Sequence, residues 1–313
     1  MRVHKSRILR RVFLPLLARF NPGDITIRHH YTGDRIRIHS YHHKGYWFHG
    51  RQREAATMQL FRRFLSEGAT VLDVGGHTGY VALYLASLVG PEGQVFVFEP
   101  GENNLPYLRH NTRGKANVTV VEKGAGSRNE RRVFYIEGLT GQNNSFVHDF
   151  EVLETNKARA YAAGADVRQT VVDVVALDEF CREEAVRPGF IKIDVEGFER
   201  EVLQGASSLL QNVHPMLMVE IQADHAEVMQ LAGRHGYRLF TPEGKPLRRV
   251  EDFIAQHINT FWLHEDAHAE ALARFDRLFC CESRGKKCCI GHSLQPDYPC
   301  GRHGDAGILR PQM

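Results

Sequence analysis

The chain has 313 residues, 42% hydrophobic and 25% charged, ordinary values for a soluble protein able to bury one large core with extensions. A formal net charge of +3 is too small to argue by itself for a nucleic-acid partner. No apolar run approaches the roughly 20 residues needed to span a membrane, no export signal is visible, and a cytoplasmic location is expected.

Residues 1–20 are basic, with a short apolar patch interrupted by Pro15. They are expected to form a surface helix packing Ile8, Leu9, Val12 and Phe13 on the domain; weak contact with an anionic membrane is the alternative. In residues 24–50, Ile25/Ile27 and Ile36/Ile38 alternate with polar residues around Thr32-Gly33-Asp34, which predicts a β-hairpin. Six of the 18 histidines fall in this segment (His29, His30, His39, His42, His43, His49). Adjacent histidines on a strand would point to opposite faces, so no metal site is assigned. Residues 54–65, with Met58, Leu60, Phe61, Phe64 and Leu65, predict an amphipathic helix. Residues 1–65 thus form an N-terminal extension to a main domain over 66–265.

That domain opens on its most informative stretch, Val71-Leu-Asp-Val-Gly-Gly-His-Thr-Gly79. An apolar strand ends in Asp73, a glycine turn follows, Tyr80–Val89 reads as a helix, and a second apolar strand closes at Glu99. This is a βαβ unit suited to a nucleoside. Gly75 and Gly79 are expected to let the backbone approach a ligand, and the Glu99 carboxylate to accept the hydroxyls of a ribose. The spacing departs from Gly-x-Gly-x-x-Gly, which seats a pyrophosphate on a helix N-terminus. It suits S-adenosyl-L-methionine instead, which carries an amino-acid arm and no phosphate.

Further along, 103–113 predicts a helix and Val118–Val121 a third strand. Residues 133–136 and 168–174 have strand character, separated by a polar stretch at 138–166 long enough to be a lid or substrate loop. Leu177–Glu183 predicts a helix, Phe190–Asp194 a fourth core strand and Met216–Ile221 a fifth. A helix at 225–235, a strand at Tyr237–Phe240 and a last strand at Thr260–His264 follow. Alternating strands and helices predict an α/β fold with a mostly parallel sheet covered on both faces. Asp73, Glu99, Asp194 and Glu220 all fall at the carboxyl edge, where such sheets bind ligands. In Phe190-Ile-Lys-Ile-Asp-Val-Glu-Gly-Phe-Glu199 three acids crowd a strand-to-turn junction. Crowded carboxylates raise one another's pKa, which suits a general base; oxygen-rich clusters suit a divalent cation equally.

The blocks VLDVGGHTGYVAL, FEP, IKIDVEGFEREVLQGA and PMLMVEI resemble the FkbM-type S-adenosylmethionine-dependent methyltransferases over roughly residues 30–264. The resemblance implies a Rossmann-like class I methyltransferase sheet whose last strand runs antiparallel. It implies methyl transfer to a hydroxyl of a sugar or small natural product, with S-adenosyl-L-methionine as cofactor; a catalytically silent binding protein on the same fold is the alternative. By position, Asp73, Gly75 and Gly79 would line the methionine arm and Glu99 the ribose. Gly76 and His77 complete the expected cofactor site. His77 stands where many members of the wider superfamily have Gly or Asn. Asp194 and Glu196 would lie beside the methyl group and acceptor, Asp194 as the leading base, Glu196 the second and His225 a third. Asn143-Asn144-Ser145 matches an Asn-Ser stretch of the family, so Asn144 and Ser145 are expected at the acceptor.

The C-terminus departs from that pattern. Residues 280–300 hold five of the six cysteines, including two Cys-Cys pairs. Vicinal cysteines rarely both reach one tetrahedral zinc, and disulfides need an oxidising compartment. Residues 266–313 are therefore expected to be a helix and a flexible tail, with a metal or redox module as the alternative. Cys181 reads as a core thiol.

Overall fold

A computed structural model of the protein describes residues 20, 22–138, 140–147, 167–253 and 258–273. The basic N-terminal segment, most of the long polar stretch and the cysteine-rich tail lie outside the described residues, as do the expectations attached to them.

The core is an eight-stranded sheet in the order β5-β4-β3-β9-β10-β13-β11-β12. Its members are β3 (Thr70–Val74), β4 (Gln94–Phe98), β5 (Val118–Val121), β9 (Phe190–Ile193), β10 (Met216–Ile221), β11 (Tyr237–Phe240), β12 (Pro246–Leu247) and β13 (Ile258–His264). From β5 to β10 neighbours pair in parallel, whereas β13 is antiparallel to both β10 and β11. This is the α/β arrangement expected from the sequence, with the antiparallel strand in place.

Side chains alternate across the sheet with period two. Val71, Val97, Phe190, Met218 and Phe261 face one apolar cluster, while Leu72, Val74, Ile191, Ile193 and Trp262 face another. Burial on both faces explains why these strands read as continuous apolar runs. Among the described residues, six helices follow strands or cover the sheet: α3 (Tyr80–Val89), α4 (Leu105–Thr112), α5 (Leu177–Glu183), α6 (Glu199–Gln204), α7 (Ser207–Asn212) and α8 (His225–Arg234). The α6–α7 pair was not apparent in the sequence.

The hairpin forms as β1 (Asp24–Arg28) and β2 (Arg35–His39), with Ile25 opposite Ile38 and Ile27 opposite Ile36. A short helix absent from the sequence reading, α1 (Lys44–His49), leads to α2 (Ala55–Phe64). Ile36, Ile38, Tyr46, Met58 and Phe61 join the cluster around α3, so this extension seals one face of the sheet. The paired histidines do not sit on a strand as supposed. His29 and His30 follow β1 in a turn, and both reach α3: His29 Nε2 lies 3.0 Å from the Tyr80 carbonyl oxygen and His30 Nδ1 lies 2.9 Å from the Tyr80 hydroxyl. They fasten the hairpin.

The two segments read as strands before and after the long loop, β7 (Glu130–Glu137) and β8 (Val167–Val175), pair antiparallel outside the core sheet. With β6 (Gly124–Ala125) they make a separate sheet in the order β6-β8-β7.

Candidate functional site

The order of the core sheet turns outward in both directions from β3 and β9, the switch point at which α/β sheets bind ligands. The turn after β3 meets the end of β9 there, and the Asp194 N–H donates to the Val74 carbonyl at 3.0 Å. Gly75 has φ +88°, and a Cβ on it would overlap the Asp194 carbonyl oxygen. At Gly79, φ +82°, a Cβ would stand 2.9 Å from Leu108 Cδ1. The glycines were expected to clear space for a ligand; their first task is to let the turn pack against β9 and α4.

A cavity of about 290 Å³ opens over this junction. Gly75, Gly76, His77, Glu99, Asn144, Asp194 and Glu196 all line it. Of the expected site residues, Asp73, Gly79 and Ser145 do not. Ser145 is buried and its hydroxyl donates to the Glu196 carbonyl at 2.7 Å, so it props the acid turn from behind. Asn144 is tied at both ends of its amide, donating to Asn103 at 2.8 Å and accepting the Glu137 N–H at 2.9 Å. His225 opens α8 against Phe253, 5.0 Å between ring centroids, and is not among the lining residues.

Glu99 forms one end of the cavity. Its Oε2 accepts the His77 N–H at 2.7 Å; its Oε1 accepts the Gly101 N–H at 2.8 Å and the Asn104 amide at 3.3 Å. Burial pushes the carboxyl up to about 7, although these three donors work the other way. The Asn104 amide donates to two oxygen acceptors, Glu99 and the Gly141 carbonyl, which fixes its orientation. Its Oδ1 is then a buried acceptor with no partner among the described residues.

His77 has φ +48°, the left-handed region that Gly and Asn adopt most easily. Its ring compensates by bridging: Nδ1 lies 2.9 Å from the Tyr46 hydroxyl and Nε2 lies 3.3 Å from the Thr140 carbonyl. A carbonyl only accepts, so Nε2 carries the proton and Nδ1 accepts from tyrosine. Burial lowers the His77 pKa to about 4, consistent with a neutral ring.

On the other side of β3, toward β9 and β10, the lining is acidic. Asp194, Glu196 and Glu220 line it together with Gln222. Glu196 stands at φ +54°, and its Oε2 accepts from Gln222 Nε2 at 2.9 Å. Burial first, and the neighbouring Asp194 next, raise the pKa of both Glu196 and Glu220 well above the carboxylate range. Glu220 also shares a side-chain hydrogen bond with Asp194, which a proton held on Glu220 supplies. The third acid of the sequence cluster, Glu199, turns away instead. It is buried at the start of α6 and accepts the Gly197 N–H at 2.9 Å. Glu220, from a different strand, takes its place in the cluster.

Beneath the cavity lies a buried ion pair invisible to local patterns. Asp73 and Lys192 are register partners on β3 and β9, 0% and 3% exposed, with Asp73 Oδ1 3.0 Å from Lys192 Nζ. The ammonium also donates to the Gly75 carbonyl at 2.8 Å and lies 3.5 Å from Asp194 Oδ2. Burial opposes its charge, but Asp73 and Asp194 outweigh that and hold the Lys192 pKa above its ordinary value. Asp73 therefore reaches the cavity through Lys192, not directly. The last wall comes from the N-terminal extension: Tyr46, Arg53, Glu54 and Met58.

Residues 73–239 match the family model described as the methyltransferase FkbM domain. Over 204 residues the chain is 25% identical to the hexuronic acid methyltransferase AglP of Haloferax volcanii, an alignment covering 64% of this chain and 75% of that one. Among solved structures, a methyltransferase FkbM from Methylobacillus flagellatus KT aligns at 18% identity and a TM-score of 0.42, covering 64% of this chain and 44% of that chain. Fibrillarin of Aeropyrum pernix, solved with S-adenosyl-L-methionine, aligns at 14% identity and a TM-score of 0.40, covering 77% and 83%.

Proposed function

The chain belongs to the FkbM methyltransferase family, and we propose that it methylates a hydroxyl of a sugar or small natural product. Its cofactor is S-adenosyl-L-methionine, which when bound supplies an electrophilic methyl group on a positively charged sulfur. The residues present fit that group. Glu99 and the unpartnered Asn104 Oδ1 offer adjacent acceptors to nucleoside hydroxyl or amine donors. The glycine turn of Gly75, Gly76 and His77 follows β3, which lies in the sheet between β4, leading to Glu99, and β9, leading to Asp194.

The observation that carries the reading is this division of one cavity into a Glu99 end and a carboxylate-crowded end. Glu99 binds and orients the ribose. Asp194, hydrogen-bonded by Glu220 and neighboured by Lys192, accepts the proton of the acceptor hydroxyl at a side-chain oxygen. Glu196, held by Gln222, lies beside it. Fixing acceptor and donor in line contributes up to ~7–11 kcal/mol to lowering the barrier. The name of the Haloferax relative supports a sugar acceptor.

Incubation with S-adenosyl-L-methionine and a panel of uronic-acid and neutral glycosides tests the proposal. Release of S-adenosylhomocysteine with a stoichiometrically methylated hydroxyl is expected. Binding of the cofactor with no turnover on any hydroxyl acceptor would favour a silent binding protein instead.

A further inference from the structure

Among the described residues, the cavity is lined by five carboxylates, Glu54, Glu99, Asp194, Glu196 and Glu220, and by two strong cations, Arg53 and Lys192. Lys192 is committed to Asp73, to the Gly75 carbonyl and to the flank of Asp194. Arg53 is not. Its Nε donates to Glu54 Oε1 at 3.2 Å, and its terminal nitrogens have no carboxylate partner among the described residues. The guanidinium carbon lies 4.6 Å from the centroid of the Tyr46 ring, and the side chain is 26% exposed. A Cβ at residue 45 would overlap Arg53 Nη1, so Gly45 is what lets the fork lie across α1. Glu54, the Tyr46 face and the missing side chain at Gly45 together hold the guanidinium in one orientation beside the cavity.

A planar fork held in advance matches a carboxylate in two-point geometry and loses little entropy on binding it. The other lining cation among the described residues, Lys192, already has Asp73, the Gly75 carbonyl and Asp194 as neighbours, so Arg53 is the described cation with donors free for a ligand anion. Two ligands of the proposed reaction carry such a group: the methionine arm of the cofactor, and an acceptor of the uronic-acid class. We propose that Arg53 is a carboxylate-binding residue of this site, reading an anionic group on a reactant. The assignment rests on the cavity being the cofactor and acceptor site proposed above.

Calorimetry tests it without turnover. S-adenosylhomocysteine carries the amino-acid carboxylate, and 5′-methylthioadenosine shares the nucleoside but lacks it. If the carboxylate is the cofactor's, Arg53→Met binds S-adenosylhomocysteine ~10–100-fold more weakly, the worth of a charge-assisted hydrogen bond, and methylthioadenosine as before. If it is the acceptor's, S-adenosylhomocysteine affinity is unchanged, and in its presence the variant loses affinity for glucuronate but not for glucose. Gly45→Ala keeps the charge but displaces the fork, and is expected to reproduce part of the same loss. Unchanged affinity for both carboxylate ligands, or equal losses for charged and neutral probes, would overturn the proposal and leave Arg53 as a counter-charge to the acids. Failure of the unaltered protein to bind S-adenosylhomocysteine would overturn the reading of the cavity itself.

Discussion

The two ends of the cavity both bury acids, but they treat them differently. Glu99 is surrounded by N–H donors, two from the backbone and one from Asn104. The cluster of Asp194, Glu196 and Glu220 has Gln222 as its amide donor and a lysine already shared with Asp73. Fixed donors favour a carboxylate that accepts hydrogen bonds and stays put, the requirement for binding a nucleoside. Carboxylates left to crowd one another trap protons, which suits an end where a proton must be moved. On the proposed reading, the same residue type serves recognition or proton transfer according to what surrounds it.

Breaking the crowded end is expected to have the largest effect. Asp194→Asn keeps the shape and removes the proton acceptor, and turnover should fall about 10²–10⁴-fold with little change in cofactor affinity. Near-normal turnover would make Asp194 structural and move the base to Glu196. Next in size is the ion pair beneath. Lys192→Met strands the fully buried Asp73 and should destabilise the fold by ~3–5 kcal/mol, measured by urea unfolding. Adding Asp73→Asn should recover part of that loss; the absence of recovery would show that the pair is not coupled.

Much of this was legible in the sequence, for identifiable reasons. Strands buried on both faces announce themselves as apolar runs, and the turn between Asp73 and Tyr80 carries Gly75 and Gly79 where the backbone needs φ > 0 and packs closely against β9 and α4, with His77 as the non-glycine residue at positive φ. Alternation also explains one misplacement. Val74 is the last residue of β3, so Asp73 points into the sheet face rather than over its edge, onto Lys192. That lysine interrupts the apolar run of β9, a visible anomaly, but its partner is set by strand register and lies 119 positions away in the sequence. Tyr46, Arg53 and Glu54 were missed because they belong to an extension whose docking on the domain has no local signature. Glu199 and Glu220 exchanged places for the same kind of reason: a helix start bends one acid away, and a neighbouring strand brings in the other.

At the ordered end, Glu99→Ala removes the central acceptor and leaves the His77 and Gly101 N–H groups unpaired. Affinity for S-adenosyl-L-methionine should drop by ~1.5–3 kcal/mol. Unchanged affinity in a folded variant, read by calorimetry, would break the assignment of this end to the ribose.

The smallest effect is also the one that sharpens the contrast most. Burial raises the Glu99 pKa from 4.5 to about 7, so the folded protein binds this proton more tightly than the unfolded chain. Its contribution to stability is therefore most favourable at low pH and is lost as pH rises from about 4.5 through about 7. Binding runs with the opposite sign. On the proposed assignment ribose hydroxyls donate to the ionised carboxylate, so a ligand expels the proton that Glu99 holds below about pH 7. Affinity for S-adenosylhomocysteine should be flat above that value and fall by at most about tenfold per pH unit below it. The groups facing Glu99 do not mask the effect: His77 is neutral across this range, with its pKa lowered to about 4, and Lys192 stays charged. Glu196 and Glu220 at the crowded end titrate upward too, and Glu99→Gln separates their contribution. That variant should bind more weakly and lose the slope. Calorimetry in buffers of different ionisation enthalpy reads the released proton directly. If the slope survives in Glu99→Gln, the proton belongs to the crowded end, and the two ends are not divided as proposed.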